Sequence, residues 1–109
     1  MDVHTTIQNA KQLLGQLIEV SGYILSGSTT ALHASDDPSS ASIALPHPEL
    51  QELLLNHVPV YLGGNFAYRD ACLVKGVLQA SEGQLKIEPT ALTITSDGES
   101  YHVSIPAST

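Results

Sequence analysis

Positive charge is scarce in this chain. Its 109 residues hold 4 Lys and Arg against 11 Asp and Glu, a formal net charge of −7. The basic residues are Lys11, Arg69, Lys75 and Lys86, and they form no cluster. A polyanion is held by several lysine or arginine contacts to phosphate, so nucleic acid and anionic lipid are disfavoured as partners. Aromatic residues make up 5% of the chain, and tryptophan is absent. Single-strand binders combine aromatic platforms with a basic groove, and both are in short supply here. There is one cysteine, Cys72, so no internal disulfide can form and the fold does not depend on oxidation. Cys72 lies between Ala71 and Leu73 and reads as a small core residue. A nucleophile would need an exposed thiolate and a nearby histidine. No apolar run approaches the ~20 residues of a membrane helix. The first residues show no basic stretch followed by an apolar one, so a cytoplasmic chain without a signal peptide is expected.

What is present is the composition of an ordinary globule, 42% hydrophobic and 14% charged. Its length fits one domain spanning residues 1–109. Two glycines lie inside apolar, strand-like runs: Gly22 within 17–25 and Gly76 within 71–80. A glycine within a strand marks a bend, a bulge or a close backbone approach. Thr5-Thr6-Ile7-Gln8 matches a capping box, and the apolar spacing after it predicts a helix over 6–14. Strands are expected at 17–25, 29–34 and 43–45. The polar stretch 35–42 between the last two reads as a surface loop. A second helix is expected over 48–57, opened by Pro48 and ended by Pro59, with Leu50, Leu53, Leu54 and His57 as its inward stripe. A meander follows: 71–80 and 84–88 joined by a three-residue turn at 81–83, a bulge or edge position at Pro89, 91–95, and a turn at Asp97-Gly98. Tyr101, Val103 and Ile105 then alternate in a last strand over 99–105.

This order, with Gly15 to Ile24, the helix from Leu50 to Val58 and Leu73-Val74-Lys75-Gly76-Val77-Leu78, resembles the OB-fold, the oligomer-binding small barrel. The expected fold is mainly β: an OB-like five-stranded barrel with core 15–95, an N-terminal helix and an extra C-terminal strand. An open antiparallel α+β sheet is the alternative. The chain departs from the OB pattern by a segment at 59–70 and by the strand at 99–105. The resemblance implies a binding face on the second and third strands, where this chain offers Thr30, His33 and Ile43.

Catalytic signatures are missing. None of the five histidines forms the close His pair typical of a zinc site, although His33 lies near Asp36 and Asp37. Gly63-Gly64-Asn65 lacks the lysine and the glycine spacing of a phosphate loop. The segment from Tyr61 to Asp70 gathers Tyr61, Phe66 and Tyr68 beside the one arginine, Arg69. Tyrosine and arginine are enriched at interaction hot spots. The expectation is a non-enzymatic module for protein–protein interaction, of the adaptor, inhibitor or immunity type. Its contact residues would be Tyr61, Phe66, Tyr68, Arg69, Tyr23 and His33, with no cofactor and no metal. Its partner would be a protein, for which the acidic surface favours a basic one, or a second copy of the chain. Two alternatives stand beside this reading: an OB module for single-stranded nucleic acid, and a metal-dependent hydrolase built on His33 and nearby carboxylates.

Overall fold

Period-two alternation governs the strand-forming runs of this chain, and a computed structural model shows what they build. The structure describes residues 1–26, 29–58 and 68–106. The elements in order are α1 (Val3–Gln8), α2 (Ala10–Leu13), β1 (Leu17–Ser26), β2 (Thr30–His33), β3 (Ser42–Ala44), α3 (Leu50–His57), β4 (Tyr68–Ser81), β5 (Gln84–Ser96) and β6 (Glu99–Ser104). The strands run in the order β3-β2-β1-β4-β5-β6. A parallel bridge between Ala44 and Lys86 joins β3 to β5 and closes the first five into a ring. β6 is bonded to β5 outside that ring. The fold is therefore a closed OB-like barrel, and the open-sheet alternative is overturned.

The barrel interior takes alternate side chains along most of each strand, and at the end of β1 Ile24, Leu25 and Ser26 are all buried. Ile18, Val20 and Ile24 of β1 meet Leu32, Ile43, Val74, Leu78, Ile87, Leu92 and Ile94 in one core. Each fully buried leucine or isoleucine contributes about 1.5–3 kcal/mol of transfer free energy. Val3 of α1 and Leu50 and Leu54 of α3 join the same core. β6 adds Val103, and Ile105 follows it.

Two close approaches let the strands curl. A Cβ on Gly22 would lie 2.5 Å from the His33 carbonyl oxygen, and one on Gly76 would lie 2.3 Å from the Glu88 carbonyl oxygen. No side chain fits either place. Beside Gly76 the β4–β5 register slips: Lys75 pairs with Ala91 and Gly76 with Pro89, leaving Thr90 as the extra residue. The Thr90 hydroxyl donates to the Lys75 carbonyl at 3.0 Å, and the Thr90 carbonyl accepts from Ile105 N–H at 3.0 Å. Pro89 has no N–H to lose, so the bulge accommodates it.

Several local expectations change. The N-terminal helix begins at Val3, and its cap is Asp2, whose carboxylate accepts from the Thr5 amide at 2.7 Å. The predicted Thr5–Gln8 box therefore lies inside the helix. The helix also breaks at Asn9 into two short pieces. α3 starts at Leu50, because Pro48 and Glu49 are taken up by a turn in which His47 Nδ1 accepts from Glu49 N–H at 3.2 Å. His57 is exposed, not part of the inward stripe; Val58 is buried instead. The turn after β4 has two residues, not three, since Ser81 pairs with Gln84. Glu82 and Gly83 both take positive φ, at 54° and 78°, as do Asp97 and Gly98 at 52° and 79°. That pairing of conformations matches the twist of a two-residue hairpin.

Gly76→Ala is expected to cost about 3 kcal/mol, the upper range of overpacking penalties, because the obstruction is backbone. Gly22→Ala is expected to cost a similar amount. Urea unfolding of the two variants against the parent chain measures both, and parent-like midpoints would refute the close-approach account.

Candidate functional site

The sheet segment β2–β3 shows how alternation sets a surface. Leu32 and Ile43 point inward and are fully buried. Their neighbours Ala31, His33, Ser42 and Ala44 therefore face outward, with Ala31 opposite Ala44 and His33 opposite Ser42. This corrects the expected face of Thr30, His33 and Ile43. Ile43 belongs to the core, and Thr30 shares a hydroxyl–hydroxyl hydrogen bond of 3.0 Å with Ser26.

Small outward side chains leave a depression over this face. One groove of about 530 Å³ runs from Ile7, Gly83, Gln84 and Leu85 across Ala31, Ser42 and Ala44 to Thr29 and Thr30. A second of about 330 Å³ shares Thr29, Thr30 and Ala44 and continues past Leu45, Pro46, His47 and Pro48 to Gln51. Together they connect the β1–β2 end of the barrel, the β4–β5 turn and the start of α3. The lining offers hydroxyls, amides and aliphatic carbons. Among the described residues its one ionisable side chain is His47. That ring is held at both nitrogens: Nδ1 accepts from Glu49 N–H, and Nε2 lies 3.2 Å from the Pro106 carbonyl. A single tautomer, with the proton on Nε2, satisfies both contacts.

The expected contact residues fall in different places. Tyr23 and His33 are direct cross-strand partners. Tyr23 is exposed, while His33 is half-buried, and its Nδ1 has no hydrogen-bond partner among the described residues. Tyr68 is 1% exposed. Its hydroxyl reaches the Leu54 and Val58 carbonyls, each at 2.8 Å, so it ties the end of α3 to the start of β4. Burial pushes its phenol pKa upward, aided by the charge of Asp70. Tyr68 is thus unavailable to a partner. Arg69 sits opposite Leu25 in the β1–β4 ladder, but its side chain, with Tyr61 and Phe66, lies outside the described residues.

The acidic loop after β2 has a local use for one of its charges. Asp37 accepts from the Ser39 amide at 2.9 Å and from the Ser39 hydroxyl at 2.8 Å, while Ser40 Oγ donates to the Asp37 carbonyl at 2.6 Å. Among the described residues, no three His, Cys, Asp or Glu side chains gather closely enough to hold a metal ion. Cys72 is buried, and its thiol is pushed up to about 12 by burial and then by Asp70. At neutral pH it is a protonated core thiol.

Sequence reasoning missed Ala31, Ser42, Ala44, Gln84 and Leu85. The signal was available in the alternation around Leu32 and Ile43, but small side chains do not advertise a site.

Comparison with known proteins bears on the fold. No protein-family model matches the chain, and no curated protein matches its sequence. Among solved structures, a chain of OBody AM1L10 bound to hen egg-white lysozyme is similar. It has a TM-score of 0.50 and 21% identity, over 79% of this chain and 84% of that one. Among the described residues, no helix is long and apolar enough to cross a membrane.

Two outcomes test these assignments. Tyr68→Phe leaves two carbonyls at the end of α3 without their shared donor. It should cost about 1–2 kcal/mol in urea unfolding. Cys72 should resist a disulfide reagent in the native state at neutral pH and react fully in denaturant. Its raised pKa also has a sign in stability. Below pH 9.0 both states keep the proton, and between 9.0 and about 12 only the folded state does. Stability should therefore fall through that window at up to about 1.4 kcal/mol per pH unit, and Cys72→Ala should remove that share of the slope.

Proposed function

We propose that the protein is a non-enzymatic binding module that takes a segment of a partner protein along the β2–β3 face. The observation that carries the reading is the groove's lining. Among the described residues the lining holds no lysine or arginine, and Lys86, bridged to Ala44 at its edge, is a single base where a run of phosphates needs several. Among the described residues it has no carboxylate, and its one histidine is held at both nitrogens, so it offers no free acid–base pair. What it does offer is Thr29, Thr30, Ser42, Gln51 and Gln84 for backbone-like hydrogen bonds, and Ile7 and Leu85 for aliphatic contact. That mixture suits an extended, neutral stretch of polypeptide, whose main-chain amides and carbonyls can pair with the lining's hydroxyls and side-chain amides while its side chains meet the aliphatic carbons.

Two further points support it. OBody AM1L10, a barrel of similar fold, is bound to a protein, hen egg-white lysozyme. The net charge of −7 favours encounter with a basic partner, whose bound segment would lie in the neutral groove while its basic surroundings meet acidic ones. His33, opposite Ser42 at the groove's edge, extends the contact area, and Tyr61, Phe66 and Arg69 stand as candidate contact residues by residue type alone. A cytoplasmic, metal-free and cofactor-free protein fits the same reading.

The test is capture from the native lysate with the parent chain and with Ser42→Arg. Ser42 is exposed and in the groove, so arginine fills the channel without disturbing the core. A defined protein retained by the parent and lost by the variant is the expected result. Retention by both would place the site elsewhere. A mobility shift of short oligothymidine at moderate salt would refute the charge argument and favour the nucleic-acid alternative.

A further inference from the structure

The other long face of the barrel is built differently. β1 and β4 pair from Leu17↔Val77 to Ser26↔Tyr68. Ile18, Val20, Val74 and Leu78 point inward, so the outward set is Leu17 beside Val77, Glu19 beside Lys75, Ser21 beside Leu73, and Tyr23 beside Ala71. Leu17 is 56% exposed, Leu73 39% and Tyr23 38%. These are three of the largest apolar side chains left in water by the described residues, and they share one surface. Apolar side chains gathered on one surface mark an interaction site more often than scattered ones do.

The arrangement of these residues identifies the occupant. In the upper rows a large side chain on one strand sits beside a small one on the other: Leu73 by Ser21, Tyr23 by Ala71. In the charged row an acid sits beside a base. We propose that this face joins two copies of the chain about a two-fold axis running along the strands, midway between β1 and β4. Such an axis exchanges the two strands. It sets Leu73 over the partner copy's small Ser21 position, Tyr23 over its Ala71 position, and Glu19 over its Lys75 position. Every contact is repeated by symmetry, as an isologous interface requires. Two sheets packed face to face keep their strands within about 30°, which a shared axis along the strands allows.

Charge points the same way. The chain carries −7 in total, yet the four rows of this face hold one acid and one base. Two strongly acidic molecules can approach here without facing like charges. The proposal goes beyond the groove reading and does not need it. In the ring, β3 lies across the barrel from the β1–β4 seam, so the β2–β3 grooves of both copies stay open.

Sedimentation equilibrium of the parent chain, from micromolar concentration upward, tests the proposal. The expected mass is twice the 11.5 kDa of one chain. Lys75→Glu alone and Glu19→Lys alone should each sediment as one chain, because each places like charges across the axis. An equimolar mixture of the two variants should recover the doubled mass. Only contacts between chains can produce that recovery, since within each chain the like-charged neighbours remain. Leu73→Glu should abolish association, and no charge variant should rescue it. Circular dichroism checks that each variant keeps its β spectrum. A parent chain of single mass throughout the range, charge variants that keep the doubled mass, or a mixture that stays at single mass would each overturn the proposal.

Discussion

The barrel depends on two places where one backbone passes over another with no room for a side chain. Gly22 lies under the His33 carbonyl, and Gly76 lies under that of Glu88. The first lets β1 serve two neighbours. Along 17–22 it pairs with β4, and from Tyr23 onward it pairs with β2 as well. The second lets β4 pair with β5 over the slip at Thr90. Without these approaches the ladders would run straight, and β3 could not reach Lys86 to close the ring. Val3 depends on the same point, since its methyl group would lie 3.1 Å from a Cβ on Gly22. α1 is therefore seated against the core by the glycine that bends β1.

Closure through such a short strand has a consequence for the surface. β3 has three residues and meets β5 at one bridge. On the β3 side of that thin seam the outward residues are the small Ser42 and Ala44, while β5 supplies Gln84, Leu85 and, at the bridge itself, Lys86. The groove follows directly from this. It results from closing a barrel with minimal material, and the neutral lining results from the few positions involved. The acidic residues sit elsewhere: at the α1 cap, in the loop after β2, at the start of α3, at the turns, and on β1, β4, β5 and β6 as Glu19, Asp70, Glu88 and Glu99.

Much of this was legible in the residues. The alternation, the two strand glycines, Pro89 and Asp97-Gly98 marked the strands, their bends, the bulge and a hairpin correctly, because each reflects a local steric rule. The helix start was misread because two caps competed. Asp2 and Thr5 are both good N-cap residues, and the choice was made by tertiary contacts: Ser21 N–H donates to the Met1 carbonyl at 2.8 Å, and Val3 docks in the core. His57 was placed inward by spacing, but α3 begins at Leu50 and its buried positions are Leu50, Leu54 and then Val58. The site was less legible for a different reason. Tyr68 has the residue type of a hot spot and the hydrogen bonds of a buried strut, and composition does not separate the two. Ala31, Ser42 and Ala44 matter through what they lack, which no motif records.

The two faces differ in physical kind, and this constrains how they act together. The β2–β3 face is concave and hydrogen-bonding, suited to a flexible segment that arrives from solution. The β1–β4 face presents Leu17, Leu73 and Tyr23 in rows that complement their own mirror order, suited to a rigid and identical surface. A two-fold axis at the seam between β1 and β4 turns the grooves away from each other, so one extended segment cannot fill both. A partner would need two copies of its own segment to bind with avidity, with a spacer long enough to pass around the pair. Association at the seam selects for partners that are themselves repeated or symmetric, and a single isolated segment gains nothing from it.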